Sequence, residues 1–288
     1  MEISPIDVKK LREKTGAGIM ECKNALTSTN GDFAGAEKLL KEKGLAALEK
    51  RADRATNEGK IFVKTADGVS VLVELASETD FVARNPEFIA LGGHIAEKAL
   101  EKGYTEPNDE LNGLVTELAT KIRENMSLKR IKLVKAAAGE YLVQYIHGDG
   151  KIGVVVRAAS DKPEIFGQDA AKEFIFTLAL HIAAFNPYAL DRSKIGGDYL
   201  TEQSGIFRKQ MEGDEKLSKM REAKPEQFEK ILQGKVDKLL KDICLLDQNY
   251  VKDDKITVAQ ALDQYGKQFG AKISVADYVY FKVGGGNE

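Results

Sequence analysis

The stretch that decides the fold reads Glu78-Thr79-Asp80-Phe81-Val82-Ala83-Arg84-Asn85, and it joins a predicted strand to a predicted helix. Residues 71–76 before it are rich in branched apolar side chains, and the nearby Asp67-Gly68 is a hairpin turn signal. After it, Asn85 and Pro86 are typical of a helix N-cap and first helical position, and apolar residues then recur at helical spacing. The stretch is therefore predicted to lie at a sheet edge, where rigid elements on both sides position its side chains.

Two interpretations of this connection follow from its residue types. In the first, Thr79 or Asp80 makes a local turn hydrogen bond, and Phe81 packs beneath the start of the helix as most aromatic side chains do. In the second, Asp80 and Phe81 form an exposed wedge, a carboxylate beside an aromatic ring, that enters a pocket of another molecule. Spacing alone favours the first interpretation and leaves both open.

Composition narrows the class of protein. The chain has 288 residues, enough for two or three units with a sizeable core. Its net charge of −2 does not provide the positive field of a general nucleic-acid binder, so we expect a protein partner and no direct nucleic-acid binding. No apolar run approaches the roughly 20 residues that a membrane-spanning helix needs. The N-terminus resembles neither a secretory nor a transit signal, so a soluble cytoplasmic protein without membrane association is expected.

Three short helices are predicted in the N-terminal part of the chain. Ser4-Pro5 begins the first, Asp32 caps the third, and Gly44 is expected to end it. Residues 1–45 thus form a three-helix module, which is small and suited to docking a partner. Residues 46–59 are rich in Ala, Lys, Arg and Glu, which predicts a solvated helical linker.

A weak internal repeat follows the linker. A hairpin over 61–76 precedes one long helix, and a hairpin over 141–159, turning at Gly148-Asp149-Gly150, precedes another over about 170–185. Two copies indicate two similar α/β subdomains rather than a solenoid. Each needs a third strand because a lone hairpin is marginally stable. The third-strand candidates are 130–136 and 273–282, and the predicted subdomains are 60–139 and 140–199, the second continuing in 244–288 with a C-terminal tail.

Residues 200–243 interrupt the second subdomain. Apolar positions are sparse over 200–221 and denser after Lys224-Pro225, which predicts a projecting antiparallel helical hairpin with a single coiled-coil-like seam. The predicted fold class is therefore α+β. It combines an N-terminal three-helix module, two subdomains that each hold a three-stranded antiparallel sheet with packed helices, and a helical insertion in the second subdomain.

The usual catalytic motifs are missing from the sequence. It contains no phosphate loop, no dinucleotide-binding glycine pattern and no His-Glu-x-x-His, so no catalytic residue, cofactor or metal is expected. Cys22 and Cys244 are far apart and are interpreted as small buried residues. His94 and His181 are interpreted as structural or surface residues. His147 ends a predicted strand, and its position alone indicates an exposed loop-edge residue.

Five segments that span nearly the whole chain are informative together. They are Thr79-Asp80-Phe81-Val82-Ala83-Arg84-Asn85, the N-terminal run 8–44 that includes 11–23, Glu124-Asn125-Met126-Ser127-Leu128-Lys129-Arg130, Tyr145-Ile146-His147-Gly148, and 245–251. In these residues and in their order, the sequence resembles the elongation factor Ts family of bacteria. The three-helix module is similar to a ubiquitin-associated (UBA-like) fold, and in this family it contacts the G domain of the partner.

The resemblance implies a guanine-nucleotide exchange factor for elongation factor Tu, in its GDP-bound and nucleotide-free forms, with no covalent chemistry. It also implies that an acid and an aromatic ring intrude into the partner's G domain and dislocate the magnesium ion and the phosphate loop. The residues that the resemblance assigns to the partner contact are Thr79, Asp80, Phe81, Val82, Met20 and His147.

A second hypothesis is a non-catalytic interaction scaffold that uses the three-helix module and the helical projection. Lys129-Arg130 with Lys132 is either a solvated rim or a site of RNA contact, and the rim is favoured. The oligomeric state, including a dimeric assembly of heterocomplexes, stays open.

Overall fold

The computed structural model describes residues 3–285 and divides the chain into two compact units. The first unit comprises the described residues up to Lys135, the segment Ile146–Gly153 and the described residues from Phe281 onward. The second unit comprises Ala136–Tyr145 and Val154–Tyr280. Of the expected C-terminal tail, residues 286–288 lie outside the described part of the chain.

The first unit opens with the predicted three helices, α1 (Pro5–Thr15), α2 (Ile19–Ser28) and α3 (Phe33–Glu49). The Ser4 side chain accepts a hydrogen bond from the Ile6 N–H at the start of α1, and Gly16 ends that helix in the left-handed conformation. The Asp32 side chain caps α3 through the Ala34 N–H. The buried core of the module consists of Val8, Leu11, Ala17, Cys22, Ala25, Leu26, Ala36 and Leu40.

The rest of the first unit is a three-stranded antiparallel sheet covered by helices. Its elements are β1 (Glu58–Ala66), β2 (Val69–Ser77), α4 (Asp80–Ala83), α5 (Pro86–Lys102), α6 (Asp109–Ile122) and β3 (Met126–Lys135), and the strand order is β1-β2-β3. Asp67 and Gly68 both have positive φ, of 49° and 73°, as a two-residue hairpin turn requires. The predicted turn is confirmed, and β2 lies in the centre of the sheet.

The third helix does not end where the sequence indicated. It continues through Gly44 to Glu49, and the following residues form turns before β1 begins. A Cβ added at Gly44 would overlap the methyl group of Thr120 on α6. The glycine therefore serves the close approach of two helices, not the end of one.

The second unit carries a second three-stranded sheet, in the order β4-β5-β8. Its elements, some of whose end residues belong to the first unit, are β4 (Glu140–His147), β5 (Ile152–Ser160), α7 (Asp169–Phe185), α8 (Gly197–Glu212), α9 (Glu215–Ala223), α10 (Pro225–Ile243), β6 (Asn249–Tyr250), β7 (Asp253–Thr257), α11 (Val258–Phe269) and β8 (Ile273–Lys282). The short pair β6-β7 was not predicted from the sequence. The α+β class and the two three-stranded sheets are confirmed.

The helical insertion contains three helices where the sequence analysis expected two. The run over 200–221 is broken because Asp214, after Gly213, caps a separate helix by accepting hydrogen bonds from the Lys216 and Leu217 N–H groups. Met211, Phe228 and Leu232 form a buried seam between these helices. The expected break before Pro225 is also present.

Cys22 and Cys244 are both buried free thiols, as predicted, and Cys244 directly follows the last residue of α10. His181 is buried on α7 and His94 is exposed on α5. None of the helices within residues 3–285 is long and apolar enough to cross a membrane.

Candidate partner-binding site

The stretch between β2 and α5 folds as a single helical turn, α4, with its start fixed by side chains. The Thr79 hydroxyl accepts a hydrogen bond from the Val82 N–H at 3.3 Å and donates one to the Glu124 carboxylate, whose Oε2 lies 3.0 Å away. The Ser77 hydroxyl donates to the Thr79 carbonyl at 2.9 Å. The local turn hydrogen bond considered for Thr79 is therefore present, and it fixes the start of the turn.

Phe81 lies on the outer side of this turn, and its ring is not packed beneath the helix. Its side chain is 82% exposed, whereas Val82 and Ala83 are 5% and 3% exposed and belong to the core of the first unit. Phe81 and Val82 face different directions because adjacent residues on a helix point about 100° apart. The ring is thus presented to solvent by a backbone whose neighbours are anchored in the core.

Asp80 stands beside the ring with a partly exposed carboxylate. Its Oδ2 lies 3.2 Å from Nη2 of Arg84, four residues later on the same turn. An exposed pair of this kind contributes little to stability, typically below about 1 kcal/mol. The carboxylate can therefore exchange this arginine for a group on another molecule at small cost.

Val82 differs from the other residues assigned to the partner contact. Because its side chain is buried, it cannot offer a side-chain contact while the turn stays folded. Its place in the site is to anchor the turn that carries Phe81.

Met20 lies in the first turn of α2, and its side chain is 63% exposed beside the exposed Ile19. Next to it, the Glu21 carboxylate bonds the guanidinium of Arg123 and the Gly18 N–H. These bonds, that of Arg123 first, lower the pKa of Glu21. The start of α2 is thereby attached to the end of α6, and Met20 is presented from a fixed helix.

His147 is the last residue of β4 and is exposed, as its position predicted. It precedes the turn Gly148-Asp149-Gly150, in which all three residues have positive φ, of 60°, 55° and 89°. His147, Met20 and the α4 turn all belong to the first unit.

Sequence analysis missed Lys60, whose buried ammonium group contacts the turn after His147. Lysine in an alternating strand normally indicates a solvated face, and the partner residue lies about 90 positions away in the chain, so no local signal identifies it. Within residues 3–285, no three His, Cys, Asp or Glu side chains are grouped so that they could hold a metal ion.

Comparison with known proteins gives consistent matches. Residues 78–285 match the family model described as Elongation factor TS. An elongation factor Ts from Treponema denticola is 46% identical over 284 residues, which cover 99% of each chain. One from Bdellovibrio bacteriovorus is 40% identical, covering 100% of this chain and 94% of the relative. One from Borrelia garinii subsp. bavariensis is 37% identical, covering 98% and 99%.

These matches define the class of protein as an elongation factor of protein biosynthesis. The chain belongs to the elongation factor Ts family, which confirms the resemblance drawn from its motifs.

Proposed function

We propose that the chain is a cytoplasmic guanine-nucleotide exchange factor for elongation factor Tu, which releases GDP without making or breaking a covalent bond. The observation that carries the proposal is the exposed Phe81 ring beside the Asp80 carboxylate on a turn that Val82 and Thr79 fix. The Phe81 ring is 82% exposed, and the hydration of so much apolar surface is unfavourable in the free protein. Burial of the ring in a pocket of the partner would remove that free-energy cost.

The proposed mechanism is mechanical and electrostatic. The Phe81 ring enters between helices of the partner's G domain, and Asp80 accompanies it with a negative charge. Their entry displaces the groups that hold the magnesium ion and the phosphate loop, and GDP leaves. By linkage, a factor that binds the nucleotide-free partner more tightly than the GDP-bound partner weakens GDP binding by the same ratio.

The wedge of Asp80 and Phe81 cannot alone supply the free energy that accelerated GDP release requires. An acceleration on the order of 10⁴ corresponds to about 5.5 kcal/mol. Burying one phenylalanine side chain contributes about 1.5–3 kcal/mol. The remainder has to come from other contacts, and the exposed Met20 and His147 are the candidates in the first unit. In this proposal they anchor the partner while the α4 turn applies the distortion.

Turnover at limiting concentration tests the proposal. Elongation factor Tu would be loaded with fluorescent GDP and mixed with excess unlabelled GDP and one-hundredth of its molar amount of the chain. An exchange factor is expected to release nearly all of the labelled GDP, many molecules per molecule of chain. A non-catalytic scaffold would bind elongation factor Tu but leave the release rate at its spontaneous value, and that result would reject the proposal.

A further inference from the structure

Lys60 on β1 is a buried charge that the proposed mechanism does not use. Only 6% of the residue is exposed. Its Nζ donates to the Asp149 carbonyl at 2.6 Å and lies 2.7 Å from Oδ1 of the same residue. Asp149 lies two residues after His147, in the segment 146–153 of the first unit. A single lysine therefore binds both the backbone carbonyl and the carboxylate of Asp149, in the turn that follows His147.

The backbone of this turn also lies directly against β1. The Ile61 N–H, on an edge strand of its sheet, donates to the Gly150 carbonyl at 2.7 Å. A Cβ added at Gly150 would lie 3.1 Å from the Lys60 side chain, and one added at Gly153 would lie 2.5 Å from Ile61. Glycine at both positions allows the backbone to approach β1 this closely. The turn therefore covers the edge of β1 that does not pair with β2.

Charge connects the same turn to α4. The pKa of Asp149 is lowered, first by the hydrogen bond and charge of Lys60 and also by the charge of Arg84. Arg84 is the residue that pairs with Asp80 beside the exposed ring. The charge of Arg84 therefore acts on Asp149, in the turn after His147, as well as on Asp80 beside Phe81.

We propose that Lys60 is a positioning residue, whose bonds to Asp149 hold His147 at a fixed place relative to the Phe81 turn so that both meet one partner surface together. The inference rests on the proposed function. Lys60 itself is too buried to touch a partner and acts through the turn. A fold that needed only coverage of β1 could use an apolar side chain of similar length at position 60, because an apolar side chain avoids the desolvation cost of burying the lysine charge.

The test is a double-mutant cycle on the full-length chain, with Lys60→Met, His147→Ala and the double variant. The measured quantities are KM for GDP-bound elongation factor Tu and kcat of GDP release. Lys60→Met is expected to raise KM about fivefold with kcat nearly unchanged, the usual effect of losing one hydrogen-bonding contact. If Lys60 acts only through His147, the double variant has the same KM as the worse single variant.

Lys64→Met is the matched control. Lys64 lies on the same strand and pairs with Glu97 at 2.8 Å on the exposed surface, so its loss should leave KM unchanged. Hydrogen exchange of the free Lys60→Met chain should show faster exchange at the Ile61 amide and unchanged protection of β2, which establishes that the variant is folded.

Three results overturn the inference. Unchanged KM in Lys60→Met rejects the positioning role while the proposed function stands, provided that the wild-type chain releases GDP. If the increases in KM caused by Lys60→Met and His147→Ala multiply in the double variant, Lys60 does not act through His147. A wild-type chain that does not accelerate GDP release rejects the proposed function and this inference together.

Discussion

At the scale of single residues, the exposure of Phe81 follows from its neighbours more than from its own type. An aromatic residue next to a helix start is usually buried, which is why the sequence could not decide between packing and presentation. The side chains of Val82 and Ala83 on α4 pack into the core of the first unit. Because an α-helix has 3.6 residues per turn, Phe81 then points outward. The local cap at Thr79 could be predicted from residue type, but which side chains of the turn fill the core could not.

Thr79 provides the first prediction. Thr79→Val keeps the shape of the side chain but removes the hydroxyl that caps α4 and bonds Glu124. Losing such a cap costs about 0.5–2 kcal/mol, so the turn should loosen and GDP release should slow several-fold. Thr79→Ser restores the hydroxyl and should recover most of the rate in the same fluorescence assay. Equal rates for the valine and serine variants would show that the cap does not position the wedge.

His181 provides a pH-dependent prediction. Its Nε2 lies 2.9 Å from Oε1 of Gln248, its ring packs against Phe185, and burial lowers its pKa against the smaller opposing effect of the Gln248 hydrogen bond. The unfolded chain then takes up a proton near pH 6.5 while the folded chain does not. His181 therefore adds stability that is present above about pH 6.5 and is lost as the pH falls toward the folded pKa, with a slope of at most about 1.4 kcal/mol per pH unit.

Urea unfolding between pH 5 and 8 measures this contribution. The acid-side loss of stability should be smaller in His181→Gln than in wild type, with His94→Gln, at an exposed histidine of α5, as the control. Parallel pH profiles for wild type and His181→Gln would contradict the assignment.

At the scale of elements, the signals that were local in sequence were predicted correctly. Asn85 before Pro86 begins α5, Ser4 before Pro5 begins α1, and Asp67-Gly68 turns the first hairpin. The errors occurred where a contact distant in sequence decides the outcome. Gly44 resembles a helix stop, but it lies inside α3 because Thr120 requires the space.

The contact between α3 and α6 predicts that Gly44→Ala has opposite effects on stability in the wild-type chain and in a Thr120→Ser background. Gly44→Ala should raise helix propensity by about 1 kcal/mol but force the new methyl group against Thr120, and overpacking of this kind typically costs about 1–3 kcal/mol. We expect net destabilisation. In a Thr120→Ser background the obstructing methyl group is gone and the hydroxyl bond to the Thr116 carbonyl can remain, so the same substitution should become neutral or stabilising.

Gly113→Ala on α6 is the control for helix propensity alone, because no atom lies within 4 Å of a Cβ added there. It should stabilise the protein by up to about 1 kcal/mol in thermal or urea unfolding. If Gly44→Ala stabilises the wild-type chain as much as Gly113→Ala does, the close approach of α3 and α6 is not a constraint.

At the scale of the whole molecule, the first unit is closed by residues that are far apart in the sequence. The Glu74 carboxylate on β2 is buried, and it accepts hydrogen bonds from Nε of Arg130 at 2.7 Å and from the Gly284 N–H at 2.9 Å. The guanidinium carbon of Arg130 also lies 3.9 Å from the centre of the Phe281 ring. Sequence analysis placed Arg130 in a solvated basic rim, because its acceptor and its ring are distant in the chain. That interpretation of Arg130 was wrong.

Removing Arg130 tests this closure. Arg130→Met leaves the buried Glu74 carboxylate without its charged partner and should lower the free energy of unfolding of the first unit by about 3–5 kcal/mol. The double variant Arg130→Met/Glu74→Met should recover most of that loss, because two apolar side chains replace the pair. Lys129→Met, at the exposed neighbouring position, should have little effect. Hydrogen exchange of the slowest β2 amides measures these differences, and a loss below about 1 kcal/mol in Arg130→Met would contradict the account.

The central claim is that the exposed Phe81 ring drives nucleotide release, and one rate measures it most directly. The rate of fluorescent GDP release from elongation factor Tu would be compared for Phe81→Ala and for Phe185→Ala, which removes another exposed phenylalanine ring from the second unit. The account predicts that Phe81→Ala slows release at least tenfold while the chain stays folded, and that Phe185→Ala retains the wild-type rate. A tenfold change corresponds to about 1.4 kcal/mol, which the burial of one phenylalanine ring can supply. A wild-type rate in a folded Phe81→Ala chain would contradict it.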